Sequence, residues 1–245
     1  MRGGAARVSA DLFPPLLPVR LPVRGSDAGF PVHRVYCVGR NFADHAREMG
    51  AAVPVRRGAP VFFLKPADAL VTGGVVPFPR GTHELHHEVE LVVALGRDAP
   101  PGLLDLREAQ SLVFGYGVGL DLTRRDLQAA AKAQGLPWDT GKAFDDSAPI
   151  SALVPAGQAG ELAARTLTLM VNRQVRQHGA LADLIWNVPE ILRELSALYA
   201  LRAGDLVFMG TPAGVGPLQV GDTFVASLDG VVELQGRIAP AAMVR

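Results

Sequence analysis

The feature that most constrains this chain is the run His87-Glu88-Val89-Glu90-Leu91-Val92-Val93-Ala94-Leu95, in which two carboxylates enter an otherwise apolar strand. A β-strand repeats its side-chain direction every two residues. Glu88 and Glu90 therefore share one face, and His87, Val89, Leu91 and Val93 share the other. The unbroken apolar stretch Leu91 to Leu95 reads as a strand buried on both faces. Such a chain must cover both sides of that strand and must answer two like charges at its mouth, since each raises the other's pKa. A divalent cation that prefers oxygen ligands is the simplest answer.

Lys+Arg and Asp+Glu are equal at 24 each, so nothing in the net charge calls for nucleic acid or an anionic membrane surface, and neither is expected as a partner. Cys37 is the single cysteine, which leaves no intrachain disulfide and fits a reducing compartment. No apolar run approaches the roughly 18 residues of a membrane span. Residues 1–24 are basic and Pro-rich without a continuous apolar core, unlike a signal peptide. The expectation is a soluble cytoplasmic protein.

Residues 1–30, rich in Gly, Pro and Arg, read as an extended N-terminal arm or a poorly ordered tail, and 31–245 as one strand-rich α+β domain. Val35 to Gly39 predicts a strand, followed by a helix with Asn41 as N-cap and Gly50 as stop. Strands are predicted at 61–64, 115–121, 167–175 and 206–210, and helices at 103–114 and 187–201. Thr123 and Asp126 resemble a capping box for a helix ending at Gly135. The segment 138–149 reads as a loop. The helix bearing His45 and Glu48 is followed by Gly50 to Pro60, with glycines at Gly50 and Gly58 and little apolar content to pack it down, and residues 41–60 are expected to act as a lid.

Asp121 ends a different strand from Glu88 and Glu90. Three carboxylates converging from two strands would make a hard, oxygen-rich site for Mg²⁺ or Mn²⁺. The competing reading leaves the glutamates in solvent and Asp121 capping a turn. His83, His86 and His87 fit no zinc spacing, and are expected to pack or hydrogen-bond around the carboxylates. The glycine-rich stretches 115–119 and 210–216 match neither dinucleotide nor P-loop spacing. Cys37 reads as a small core residue. His45 and Glu48, three apart on a helix, are neighbours, and a carboxylate that orients an imidazole makes a general base. Lys65 and Lys142 are candidates to stabilise an oxyanion or bind a substrate carboxylate.

Several segments together resemble the fumarylacetoacetate hydrolase family, in particular its short acylpyruvate hydrolase members. They are Cys37-Val38-Gly39-Arg40-Asn41-Phe42-Ala43-Asp44-His45, Phe63-Leu64-Lys65-Pro66 and Leu85-His86-His87-Glu88-Val89-Glu90-Leu91. The order continues through Gly115-Tyr116-Gly117, Asp121-Leu122-Thr123, Arg125-Asp126-Leu127-Gln128, Gly135-Leu136-Pro137-Trp138, Lys142-Ala143-Phe144-Asp145 and Gly210-Thr211-Pro212-Ala213-Gly214-Val215-Gly216-Pro217. Ala148 stands before Pro149 where relatives often carry Cys or another small residue, and the N-terminal arm lies outside the resemblance.

The resemblance implies a mixed β-roll or β-sandwich with flanking helices, usually a homodimer, with no room here for the extra N-terminal domain of the larger family member. It implies Glu88, Glu90 and Asp121 as ligands of Mg²⁺ or Mn²⁺, His45 with Glu48 as a water-activating pair, and Lys142 as a catalytic lysine. Arg40, Lys65, Gln128 and Thr211 fall at positions near the substrate. The activity it implies is cleavage of the carbon–carbon bond of a 3-acylpyruvate, of fumaryl or acetyl type, as in aromatic compound catabolism. The alternatives are a metal-dependent tautomerase, isomerase or decarboxylase of a 2-oxo diacid such as oxaloacetate, and a silent binding module for 2-oxo acids.

Overall fold

The computed structural model describes residues 11–15, 17–48 and 58–241 of the chain. The architecture is strand-rich α+β, with a six-stranded mixed sheet ordered Val154–Pro155, Val113–Leu120, Val89–Leu95, Leu206–Phe208, Val35–Gly39 and Val61–Lys65. Val89–Leu95 lies inside that sheet, antiparallel to Val113–Leu120 on one side and to Leu206–Phe208 on the other. All seven of its residues are buried. Val89, Leu91, Val93 and Leu95 join the larger core, while Val92 and Ala94 join a second one with Val35, Cys37, Ile150 and Phe208. The continuous apolar run thus has the physical reason expected of it, a hydrophobic layer on each face.

A five-stranded sheet, ordered Gln174–Ala180, Thr166–Val171, Thr223–Leu228, Val232–Ala239 and Val75–Pro77, closes the larger core from the other side. Leu167, Leu169, Phe224 and Ala226 contribute its inner face, and Ile191, Leu192 and Leu195 of the helix Val188–Ser196 pack into the same core.

The second core is covered by a segment expected to be an extended arm. Arg20–Val23 and Ser26–Pro31 form an antiparallel hairpin turning through Gly25 at φ 74°, and Leu21, Phe30 and Val32 are buried in that core. Its short strands are masked in the sequence by Gly and Pro, and only the uncovered face of the main sheet explains why they pack. Leu21→Ala should therefore cost about 2–5 kcal/mol, the range for emptying a buried leucine site. A denaturant midpoint equal to that of the parent protein would show the hairpin to be dispensable.

Other boundaries moved for local reasons. The 103–114 helix shrinks to Leu106–Ser111 because Asp105 and Glu108 form a capping box and Val113 already belongs to a strand. The Thr123/Asp126 box does not form. Thr123 pairs with His86 in a short ladder, and Asp126 accepts from the Thr82 hydroxyl and the His83 amide. The helix Arg125–Gln134 still ends at Gly135, with φ 66°. Asn41 caps no helix; its side chain ties the amide and carbonyl of Trp186 and the carbonyl of Met209. The strand expected over 167–175 turns at Asn172 and Arg173, both at positive φ, into a hairpin. The 187–201 helix starts after the Asn187 cap but stops at Ser196, and the 138–149 loop contains the helical turn Asp139–Lys142. Of the 41–60 segment expected to act as a lid, residues 49–57, with Gly50, lie outside the described residues. No helix among the described residues is long and apolar enough to cross a membrane.

Candidate active site

Strand register brings the three acids together. Val89 pairs with Leu120 and Glu90 with Gly119, and one rung further the Asp121 amide donates to the Glu88 carbonyl at 2.8 Å. Residues opposite one another in an antiparallel ladder share a face, so Glu88, Glu90 and Asp121 point the same way. Gly119, across from Glu90, has no room for a side chain: a Cβ there would lie 2.7 Å from the Phe208 ring. One oxygen from each of the three acids can be chosen so that all lie within 4.8 Å of one another, and all three residues are buried.

Buried carboxylates need compensation. Lys142 Nζ lies 2.8 Å from Glu88 Oε2 and 2.6 Å from Asp121 Oδ2, and Arg125 Nη2 lies 2.5 Å from Glu88 Oε1. Burial by itself would raise the Glu88 pKa, but Lys142 and Arg125 outweigh it and hold the carboxyl well below its usual range. The same two acids keep the Lys142 amine protonated against its own burial. Glu90 has no such partner. Among the described residues its hydrogen bond comes from the Gly210 amide, at 2.7 Å. Burial first, and then Asp121 and Glu88, push its pKa well above the ordinary value.

Gly210 holds that amide in place at φ 90°, and a Cβ there would fall 2.8 Å from Asn41 Cβ. Gly210→Ala should thus destabilise the fold by about 1–3 kcal/mol, through left-handed strain and the clash together. Thermal unfolding tests this, and an unchanged midpoint would mean the loop relaxes freely.

His45 and Glu48 meet as the helical spacing required, with Nδ1 and Oε2 3.2 Å apart. Glu48 also accepts from the Gly214 amide at 3.1 and 3.2 Å, so the acid is pinned from a second loop. Beneath that loop, Gln177 is buried and connects four groups. Its carbonyl oxygen meets His87 Nδ1 and the Val89 amide, and its amide nitrogen donates to Thr211 Oγ1 and the Pro212 carbonyl. Gln177 locks the mouth of the carboxylate strand to the Thr211 loop. Nothing in the sequence marked it, because its partners are 34 to 90 residues away.

These elements surround a cleft of about 250 Å³. Of the sequence-derived candidates, Arg40, His45, Glu88, Glu90, Asp121, Gln128, Lys142 and Thr211 line it. Glu48 stands behind His45. Lys65 is fully buried behind Asp121 rather than in the cleft; it donates to the carbonyls of Leu122 and Lys142 and lies 2.9 Å from Asp121 Oδ1. Val38, Gly39, Phe63, Arg125, Lys132 and Trp138 complete the wall; none of them has a role read from the sequence and Lys132 lies outside every motif, although Arg125, Gln128 and Lys132 fall at i, i+3 and i+7 on one helical face. His87 and His86 pack around the acids as expected, the latter between Glu84 and Arg125, and burial lowers both their pKa values. Cys37 is a core residue, and its thiol is pushed up by burial.

The cluster fits a divalent cation. The donors are hard carboxylate oxygens from three buried residues, and Glu90, which makes no ion pair among the described residues, lies against two like charges. The ammonium of Lys142, between Glu88 and Asp121, stands where positive charge is wanted.

The fumarylacetoacetate (FAA) hydrolase C-terminal family matches residues 34–239. The oxaloacetate tautomerase YcgM of Escherichia coli (strain K12) is 42% identical over 214 residues, 84% of this chain and 93% of that protein. The mitochondrial oxaloacetate tautomerase FAHD1 of Arabidopsis thaliana is 41% identical over 206 residues, covering 82% of this chain and 89% of that protein. Among solved structures, the fumarylpyruvate hydrolase of Pseudomonas aeruginosa, in complex with Mn²⁺ and pyruvate, is 46% identical with a TM-score of 0.88. That match covers 94% of this chain and all of the other.

Proposed function

This chain belongs to the fumarylacetoacetate hydrolase family, and from that premise we propose that it is a divalent-metal-dependent enzyme of small 2-oxo acids whose principal reaction is the keto–enol tautomerisation of oxaloacetate. The observation that carries the reading is the buried pole of Glu88, Glu90 and Asp121, open to a cleft whose other charged walls are cationic. Those three acids would hold the metal, which supplies Lewis-acid polarisation of a 1-carboxylate and 2-oxo pair when bound. Glu48 keeps the His45 imidazole in one orientation and leaves Nε2 as the base. In tautomerisation that nitrogen takes the C3 proton, the C3–H electron pair becomes the C2–C3 double bond, and the carbonyl pair moves to the C2 oxygen, which then takes a proton back from the imidazolium, so that one proton has moved from C3 to the C2 oxygen and the base is restored. Lys142 places positive charge beside that oxygen, and Lys65 holds Lys142 and Asp121 in place from behind. Arg40, Gln128 and Thr211 orient the substrate.

A second reading, hydrolysis of a 3-acylpyruvate to pyruvate and a carboxylic acid, is favoured by the same His45–Glu48 pair, which can equally deprotonate water. The likeness to the Pseudomonas aeruginosa fumarylpyruvate hydrolase supports it too. The Mn²⁺-loaded protein should be given enol-oxaloacetate, acetylpyruvate and fumarylpyruvate, with loss of the enol absorbance and release of pyruvate followed separately. Tautomerisation with the highest kcat/KM supports the first reading. Dominant cleavage of an acylpyruvate replaces it with the second, pyruvate released from oxaloacetate indicates decarboxylation, and no turnover leaves a binding module. The homodimer implied by the resemblance belongs to the same proposal and is checked by sedimentation.

A further inference from the structure

Lys132 is a half-buried cation in the wall of the cleft, and among the described residues it has no carboxylate partner. Its ammonium rests 5.1 Å from the centroid of the Trp138 ring. The charged groups that face it are Arg125 on its own helix, Lys142 on the turn Asp139–Lys142, Arg40 after the strand Val35–Gly39, and Glu88. Three of these four are cations. Burial first, and then Arg125, lower its pKa to about 8. Burying an unpaired charge among like charges is unfavourable unless an anion completes the site.

The helix Arg125–Gln134 sets the distance. Arg125 anchors one end of it on Glu88, at the acidic pole, and Lys132 lies seven residues further along, about 10 Å of helix rise. The cleft wall carries the cations Arg40, Arg125, Lys132 and Lys142 against the acids Glu88, Glu90 and Asp121, an excess of one positive charge that a divalent cation would raise to three. A monocarboxylate leaves most of that excess unanswered, whereas a dicarboxylate answers two charges at opposite ends.

The geometry points to Lys132, with Arg40 beside it, as the group that binds the distal carboxylate of a dicarboxylic 2-oxo acid and so selects diacids over monoacids. The inference rests on the 2-oxo acid reading above. Trp138 makes the selection specific, since its ring holds the ammonium at the cleft instead of letting it extend into solvent.

The test is calorimetric binding to the Mn²⁺-loaded protein of a matched pair, 2-oxoglutarate and 2-oxopentanoate, which differ in the distal carboxylate. The parent protein should prefer the diacid by about 10- to 100-fold, the scale of one charge-assisted contact. Lys132→Met should erase most of that preference while the monoacid changes severalfold at most, and Lys132→Arg should restore it. The preference should also decline as pH rises through about 8, where the ammonium loses its proton, and stay level in Lys132→Arg. Equal weakening of both acids in Lys132→Met, or an undiminished preference, overturns the assignment while leaving the 2-oxo acid site intact. Binding of neither acid to the parent protein overturns the site reading and the assignment with it.

Discussion

Replacing Glu90 by Gln is expected to abolish divalent-metal binding and, in the same variant, to make the metal-free protein more stable. Of the three clustered acids, Glu90 alone makes no ion pair among the described residues, and two like charges face it. A Gln side chain can keep the bond from the Gly210 amide through its oxygen and turn its NH₂ toward the other carboxylates. The sign follows from linkage. A carboxyl whose folded pKa is raised holds its proton more tightly in the folded state, so stability falls as pH climbs above the unfolded value of about 4.5. The Gln variant lacks that fall, and its advantage in melting temperature should grow with pH above that point. Mn²⁺ affinity should drop by at least about 100-fold, since loss of outer-shell support alone costs about 10- to 100-fold. A Mn²⁺-induced rise in melting temperature equal to the parent's, or a metal-free variant that melts earlier, would refute the role given to Glu90.

His45→Gln should reduce turnover by about 10²- to 10⁴-fold, the usual worth of a general acid–base group, with Mn²⁺ affinity unchanged. The metal affinity holds because His45 lies outside the acidic cluster and is tied to Glu48 instead. Glu48→Gln should cost less, about tenfold, because Gly214 still pins the side chain and only the orientation and basicity of the imidazole suffer. Steady-state rates with oxaloacetate and with an acylpyruvate, measured in parallel, separate the two reactions. Loss of both places one base in both. Loss of acylpyruvate cleavage alone would move the C3 proton transfer to another group. Full activity of both in His45→Gln would remove the imidazole from the chemistry.

The sequence by itself determined the central strand and the acids on it. A period of two places Glu88 and Glu90 on one face, and an unbroken apolar run demands burial on both sides; both are local properties of the backbone. The His45–Glu48 contact was legible for the same reason, since helical spacing needs no knowledge of the rest of the chain. Motif order carried the family, and with it Asp121, Lys142 and the lining residues Arg40, Gln128 and Thr211.

The tertiary structure decided what local rules do not reach. That Asp121 faces Glu88 is a matter of register between two strands some thirty residues apart, fixed by the ladder that pairs Glu90 with Gly119. Which cations neutralise the acids was also undecided by the sequence. Arg125 was read as part of a motif, Lys65 as a substrate contact, and Lys132 not at all. Their roles depend on which ends of separate elements converge, and a lysine in a sequence looks the same whether it is solvated, paired or waiting for a ligand. The hairpin at 20–31 and the Gln177 hub have the same origin. Each is explained by a surface or a set of polar groups supplied by distant segments, and burial and hydrogen-bond satisfaction are properties of the assembled fold rather than of any stretch within it.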